Sequence, residues 1–187
     1  MAAVGCSISI ADINEKTLAA ALEDLKEHAG RIMCTKCDVS KEEDVKAAVD
    51  ATMAKFGAIH VAIACAGTFG FTPIMGDMPL NMDTVRKIMA VNLMGAVYVA
   101  KYCAVAMSKN DLKSLDGPDR GVIIFVSSVL ATEGGPAGFA YSASKAGLNG
   151  MLIPMARDLG RYSIRVAGIA PSLVDTPLMR NFAPKEY

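Results

Sequence analysis

Net charge is the first thing this chain lacks: nineteen basic residues balance nineteen acidic ones over 187 residues. No bulk field draws it to a phosphate backbone or an anionic membrane surface, so nucleic acid is not an expected partner. Long apolar runs are absent too. The longest, Gly121 to Val126 and Val61 to Ala66, fall far short of the roughly 18 to 20 residues that cross a bilayer. They read as buried strands, and no membrane partner is expected. Histidine is scarce, with only His28 and His60, and the five cysteines show no repeated paired spacing. One Cys-x-x-Cys, Cys34 to Cys37, is all there is for a redox motif or half a zinc site. No second pair exists, and residues three apart on a strand face opposite sides, so the pair reads as structural and no metal is expected. The odd count points to a reducing compartment. The segment up to Asp12 has no basic stretch ahead of its small and apolar residues and displays no targeting signal.

What is present is apolar. Hydrophobic residues make up 52%, ample for one soluble, layered domain. Apolar runs alternate with amphipathic stretches, without repeats or a linker, the mark of βαβ units around a parallel sheet. Strands are expected at Ser7 to Ala11, Arg31 to Lys36, Val61 to Cys65, Val122 to Ser127 and Ile164 to Ala170, where Pro171 ends the last. Val61 to Cys65 is apolar throughout, as a strand buried on both faces should be. Helices are expected from Asn14 to His28, from a capping box of Ser40 and Glu43 to a stop at Gly57, from Asn81 to Ser108 with one break, and from Tyr141 to Leu159. Lys109 to Arg120 reads as a polar loop, and the residues after Thr176 as loop or the start of a helix.

Sites in open α/β sheets lie beyond the carboxyl ends of the strands. Asp12 stands at such an end. An acid there can accept from the ribose hydroxyls of a dinucleotide and repel a 2′-phosphate, which favours NAD; alone it is equally an ordinary strand-ending residue ahead of the Asn14 cap. Tyr141 and Lys145, four apart on a helix, are neighbours on one face. A free phenol titrates near pH 10, and a nearby ammonium lowers that value, so the pair is expected to yield an acid or base for a carbonyl or hydroxyl group. Of five tyrosines only Tyr141 has this lysine, in a run of small residues from Ser142 to Gly147 that permits close approach. Thirteen residues upstream Ser128 can donate to a substrate oxygen, with Ser127 its rival for the role.

These residues together resemble a family. Gly121 to Met179, with Val126-Ser127-Ser128, Tyr141-x-x-x-Lys145 and Ile169-Ala170-Pro171, resembles the short-chain dehydrogenases/reductases. Val91 to Gly95, Ile153 to Leu159, Thr176 to Leu178 and the polar insertion before Gly121 resemble in particular the type-2 3-hydroxyacyl-CoA dehydrogenases. The resemblance covers nearly the whole chain. It implies a Rossmann-like doubly wound parallel sheet in a single NAD-binding domain spanning residues 1 to 187, and an oxidoreductase that interconverts a secondary alcohol and a ketone. Implied substrates are a 3-hydroxyacyl thioester or a hydroxysteroid. The catalytic tetrad falls on Asn92, Ser128, Tyr141 and Lys145, where Asn92 holds a water that links Lys145 to solvent and Lys145 also holds the nicotinamide ribose. Asp12, Asp38 and Val39 would bind the adenosine half of NAD, Cys65, Ala66 and Gly67 would lie under the cofactor, and Pro171, Val174 and Thr176 would flank the nicotinamide. A homo-oligomer, dimer or tetramer, through the helices Asn81 to Ser108 and Tyr141 to Leu159 is implied too, as is a mitochondrial location.

The chain departs from the family pattern at several points. Ala64 stands where the family usually has Asn, Pro171-Ser172 replaces Pro-Gly, and Thr68 to Asp83 is slightly short for an acyl-CoA enzyme. No Gly-x-x-x-Gly-x-Gly loop occurs, and the sequence opens where the family enters its second strand. The expected fold therefore lacks the first strand with its glycine loop, and the C-terminal elements, as a part of a longer protein would. In a sheet of order 3-2-1-4-5-6 the first strand is central, so two strands are expected to be unable to pair with the rest. Loss of the pyrophosphate loop leaves a second reading, a non-catalytic scaffold in a larger assembly. Twelve methionines, several between Met75 and Met94, are expected as core filler, with an acyl-chain wall as the alternative.

Overall fold

Apolar residues gather in five short runs, and each becomes a strand. The computed structural model describes residues 1–112, 119–176 and 180. Strands β1 (Ile8–Asp12), β2 (Ile32–Lys36), β3 (Val61–Ala64), β4 (Gly121–Val126) and β5 (Ile164–Ile169) alternate with helices α1 (Glu15–Asp24), α2 (Glu42–Phe56), α3 (Met82–Ile88), α4 (Gly95–Met107) and α5 (Phe139–Gly160). All the strand pairs are parallel, as βαβ connections require. The expected loop at Lys109 to Arg120 lies partly outside the described residues, and the stretch after Thr176 almost wholly so.

The strands form two sheets, β1-β2 and β3-β4-β5. This is the partition expected when the central strand of a 3-2-1-4-5-6 order is absent. The unpaired edges of β1 and β3 line a groove of about 540 Å³, closed by α2 and α4. One expectation is corrected: β3 is not buried on both faces. Ala62 and Ala64 are buried, but Val61 and Ile63, which alternate with them onto the other face, are 41% and 48% exposed.

Three local expectations also change. Lys41, not Ser40, precedes the first turn of α2, and it makes no side-chain cap; Ser40 Oγ instead donates to Asp38 Oδ1 at 2.7 Å. The first helix ends at Asp24, and Lys26–Arg31 tightens into a 3₁₀ turn. The break expected in the long helix is a π-helical segment, Met89–Met94, between α3 and α4. Such segments are frequent at functional sites, and this one carries Asn92. The stretch Met82–Met107 is, by length and apolarity alone, long enough to cross a bilayer. Ile88, Ala96, Ala100, Cys103 and Met107 along it are buried within this fold.

The main core lies around β4, where Ile123 and Phe125 are fully buried between α4 and α5 and packed with Met107 and Leu148. A smaller cluster, Cys37, Val45 and Ala48, packs α2 against Tyr98, Val99 and Tyr102 of α4. Met107 is core as expected, but Met75, Met78, Met82 and Met94 are 41% to 89% exposed, so core filling fails for them.

Candidate active site

The carboxyl ends of β3 and β4 and the start of α5 converge on Tyr141 and Lys145. Lys145 is 4% exposed, and its ammonium donates to the Val126 carbonyl at 2.7 Å, at the end of β4. Burial pulls its pKa below the ordinary lysine value, opposed by the charge of Cys65. Its Nζ lies 5.7 Å from the centre of the Tyr141 ring.

The Tyr141 phenol departs from the sequence expectation. Its pKa is raised, not lowered: burial disfavours the phenolate, and the hydrogen bond with Ser128 opposes this only in part. The Lys145 ammonium makes its direct hydrogen bond to the Val126 carbonyl, not to the phenol. Ser128 is buried, caps the short turn after β4 by accepting from the Leu130 N–H at 3.2 Å, and reaches Tyr141. Its rival Ser127 donates to the Lys145 carbonyl at 3.1 Å, a bond that anchors α5 to β4. Of the two hydroxyls it is that of Ser128 that reaches the phenol.

Asn92 is 1% exposed and joins three elements. Its Oδ1 accepts from the Thr68 N–H at 2.8 Å, and its Nδ2 donates to the Thr68 carbonyl at 2.9 Å and to Ser144 Oγ at 3.0 Å. Both N–H donors of the amide are therefore committed. What the side chain displays is a staple between the loop after β3 and α5. Ser144, fully buried, passes the contact on by donating to the Tyr141 carbonyl at 2.7 Å. The four tetrad residues are in this way brought into one neighbourhood. Small residues allow it: a Cβ on Gly147 would stand 2.9 Å from the Leu93 side chain, next to Asn92.

The residues expected to hold a cofactor divide. Cys65, Ala66 and Gly67 form an exposed strip at the end of β3. A Cβ on Gly67 would stand 3.6 Å from both Lys145 Nζ and Asn92 Oδ1, so this glycine lies directly beside the two side chains. Pro171 continues from β5, with its carbonyl accepting from the Val129 N–H at 3.0 Å, and Val174 is 53% exposed nearby in sequence, as Thr176 is in part. Asp12 is exposed at the end of β1, where Oδ1 accepts from the Asn14 N–H at 2.8 Å. Asp38 builds a turn instead of presenting its carboxylate: Oδ1 accepts from both the N–H and the hydroxyl of Ser40, and these bonds hold its pKa down. Val39 is half-buried against Gly95 of α4. The open strip beside Lys145 and the exposed Asp12 carboxylate are compatible with a nicotinamide cofactor.

Sequence reasoning missed Thr68, Phe69, Thr72 and Ser144. Ser144 had a signal, since it falls one turn after Tyr141 on the buried side of α5. The others lie in a loop without periodicity. Phe69 packs edge-on against Tyr141, with ring centres 5.2 Å apart, and Phe71 packs edge-on against Phe69 at 5.7 Å.

Comparison with known proteins places this geometry among relatives. The family model described as short chain dehydrogenase matches residues 1–187. The human 3-hydroxyacyl-CoA dehydrogenase type-2 is 39% identical over 151 residues, 79% of this chain and 57% of that protein. The chain thus spans a little over half the length of that curated relative. Among solved structures, 3-hydroxyacyl-CoA dehydrogenase type-2 from Mycobacterium avium superposes with a TM-score of 0.85 at 29% identity, covering 97% of this chain and 69% of that one. A 7 alpha-hydroxysteroid dehydrogenase complexed with NADH and 7-oxo glycochenodeoxycholic acid gives a TM-score of 0.85 at 28% identity, covering 100% and 68%.

Proposed function

This chain belongs to the short-chain dehydrogenase family, and on that premise we propose that it is an oxidoreductase that uses NAD to interconvert a secondary alcohol and a ketone. The substrate we propose is a 3-hydroxyacyl thioester or a hydroxysteroid, the classes named in its relatives. One observation carries the reading: a continuous set of contacts runs from Asn92 through Ser144 to Tyr141 and on to Ser128, with Lys145 buried alongside.

A bound dinucleotide would supply or accept the hydride. Cys65, Ala66, Gly67, Pro171, Val174, Thr176 and Lys145 would hold its nicotinamide half, and Asp12 with Val39 and the Asp38 turn its adenosine half. NAD is preferred to NADP because the exposed Asp12 carboxylate suits free ribose hydroxyls and repels a 2′-phosphate.

The chain's own residues move the proton. In reduction Tyr141 Oη gives its proton to the carbonyl oxygen, while the Ser128 hydroxyl donates to the same oxygen and steadies its developing charge. The phenolate that remains is stabilised by the Lys145 ammonium. Because burial keeps the Tyr141 phenol protonated past its ordinary range, the acid for reduction is ready at neutral pH. Oxidation needs the opposite state, so its rate should climb as pH rises into the alkaline range.

Tyr141→Phe removes the proton and leaves the ring, and should lower turnover by roughly 10²- to 10⁴-fold while NADH fluorescence reports unchanged binding. Retained turnover would overturn the assignment. A wild-type chain that neither binds NADH nor turns over would favour the scaffold reading. A homo-oligomer, dimer or tetramer, and a mitochondrial location belong to the same proposal; Val105 on α4 and Ile153 on α5, 56% and 63% exposed, supply apolar surface for the former.

A further inference from the structure

The segment Thr68 to Thr72 is fastened at both ends. At its start both main-chain groups of Thr68 bond to the Asn92 amide. At its end Thr72, fully buried, donates its N–H to the Ala137 carbonyl at 2.6 Å, and its Oγ1 accepts from the Ala140 N–H at 3.3 Å. Ala137 has φ 52°, a left-handed conformation unfavourable for any residue with a Cβ, and the Thr72 bond helps to hold it there. A five-residue bridge therefore ties the π-helical turn of Asn92 to the turn that opens α5.

Phe69 is carried within that bridge. Its ring meets Tyr141 at 5.2 Å between centres with planes 61° apart, and Phe71 backs it at 5.7 Å and 86°. A methyl group on Gly138 would touch the same ring at 3.7 Å. Edge-to-face aromatic pairs have a preferred geometry, so a fixed Phe69 restricts the orientations open to the tyrosine ring.

We propose that Phe69 is a positioning residue for Tyr141: held by the two fastenings of its segment, it keeps the tyrosine ring turned toward Ser128 and keeps water from the phenol. Its catalytic consequence rests on the dehydrogenase reading, but its physical effect does not. Among the described residues few charged or titratable groups face the phenol. Lys145 comes from α5, with Cys65 beyond it at the end of β3; β4 leads only to the hydroxyl of Ser128, and the Thr68 to Thr72 segment brings no ionisable group. Removing Phe69 thus changes the solvation of the phenol without removing a charge.

The test is a titration of the full chain carrying tyrosine labelled with ¹³C at Cζ, the Tyr141 signal being identified by its loss in Tyr141→Phe. In Phe69→Ala the Tyr141 midpoint should move to lower pH, toward that of free tyrosine, and Phe69→Tyr should restore it. A folded Phe69→Ala chain, checked by circular dichroism, whose Tyr141 titrates as in the wild type overturns the proposal. If that variant does not fold, Phe69→Gln keeps the bulk while admitting water, and an unmoved midpoint there overturns it equally. Neither cofactor nor substrate is present, so an inactive wild type would sink the dehydrogenase reading and leave this result standing. With turnover in hand, the pH profile for reduction should shift in the same direction as the midpoint.

Discussion

The two sheets are built differently. Around β3, β4 and β5 twelve buried residues form one cluster, with Phe125, Ile123 and Met107 fully covered. Around β1 and β2 burial is thin: Leu18 and Ile32 are covered, and beyond them the small cluster of Cys37, Val45 and Ala48 belongs as much to the α2 and α4 contact as to the sheet. The proposed function divides along the same line. All four residues proposed to move the proton stand on the densely packed side, whereas the exposed Asp12 and the half-buried Asp38 stand on turns of the other. Moving a proton demands atoms fixed within tenths of an ångström, and close packing supplies that; gripping an adenosine demands mainly surface groups of the right polarity.

Truncating the centre of each sheet tests the contrast most severely. Phe125→Ala should cost about 3 to 5 kcal/mol in chemical denaturation, since a fully buried aromatic leaves a cavity between two helices. Ile32→Ala, on a two-stranded sheet with an open edge that can settle, should fall at the low end for aliphatic truncation, about 2 kcal/mol. Equal losses would erase the distinction. Amide exchange gives an independent view: Val122 to Val126 should exchange more slowly than Ile8 to Asp12.

Alkaline pH probes one thiol on each side. Burial pushes Cys103, in the large cluster, up to about 12, and burial with the charges of Asp44 and Asp38 pushes Cys37, in the small one, to about 11, against 9.0 for a free thiol. Both folded values are raised, so below pH 9 neither group affects stability. Above it the unfolded chain loses protons that the fold retains, and stability falls by up to about 1.4 kcal/mol per pH unit for each thiol until its folded pKa is reached. Urea midpoints measured across this range should decline, and Cys103→Ala should flatten the decline more at its upper end than Cys37→Ala does. A flat profile would mean that these thiols meet water.

The sequence made the packed side legible and the open side only in outline. Tyr141 and Lys145 are readable because a helix converts a spacing of four into adjacency, and Ser128 because a strand end is where an open sheet places its chemistry. The partition of the sheets followed from strand order alone. Failures arose where tertiary surroundings overrule local pattern. Val61 to Cys65 reads as a doubly buried strand, yet Val61 and Ile63 leave one of its faces exposed. Ser40 and Glu43 have the spacing of a cap, but Asp38 lies closer and takes the hydroxyl. The pair spacing of Tyr141 and Lys145 says nothing of how deeply the phenol is buried, and burial is what raises its pKa. Phe69 sits in a loop without period, where only three-dimensional placement assigns a role.

The smallest expected effect isolates the link between the two sides. Thr52 of α2 places its Oγ1 2.8 Å from Ser9 Oγ of β1, while Lys55, one turn on, donates to the Ile32 carbonyl of β2 at 2.7 Å. These bonds help to keep the two-stranded sheet on α2, and α2 in turn rests on α4. Thr52→Val preserves shape and removes one hydroxyl, for a loss of about 0.5 to 1 kcal/mol, at the low end because Ser9 is half-buried and water can take the vacated bond. The location of the loss matters more than its size. If β1 and β2 open without the larger sheet, the variant should speed amide exchange at Ile8 to Asp12 and leave Val122 to Val126 unchanged. If both sets speed up together, the two sheets unfold as a single unit, and their difference is one of packing density alone.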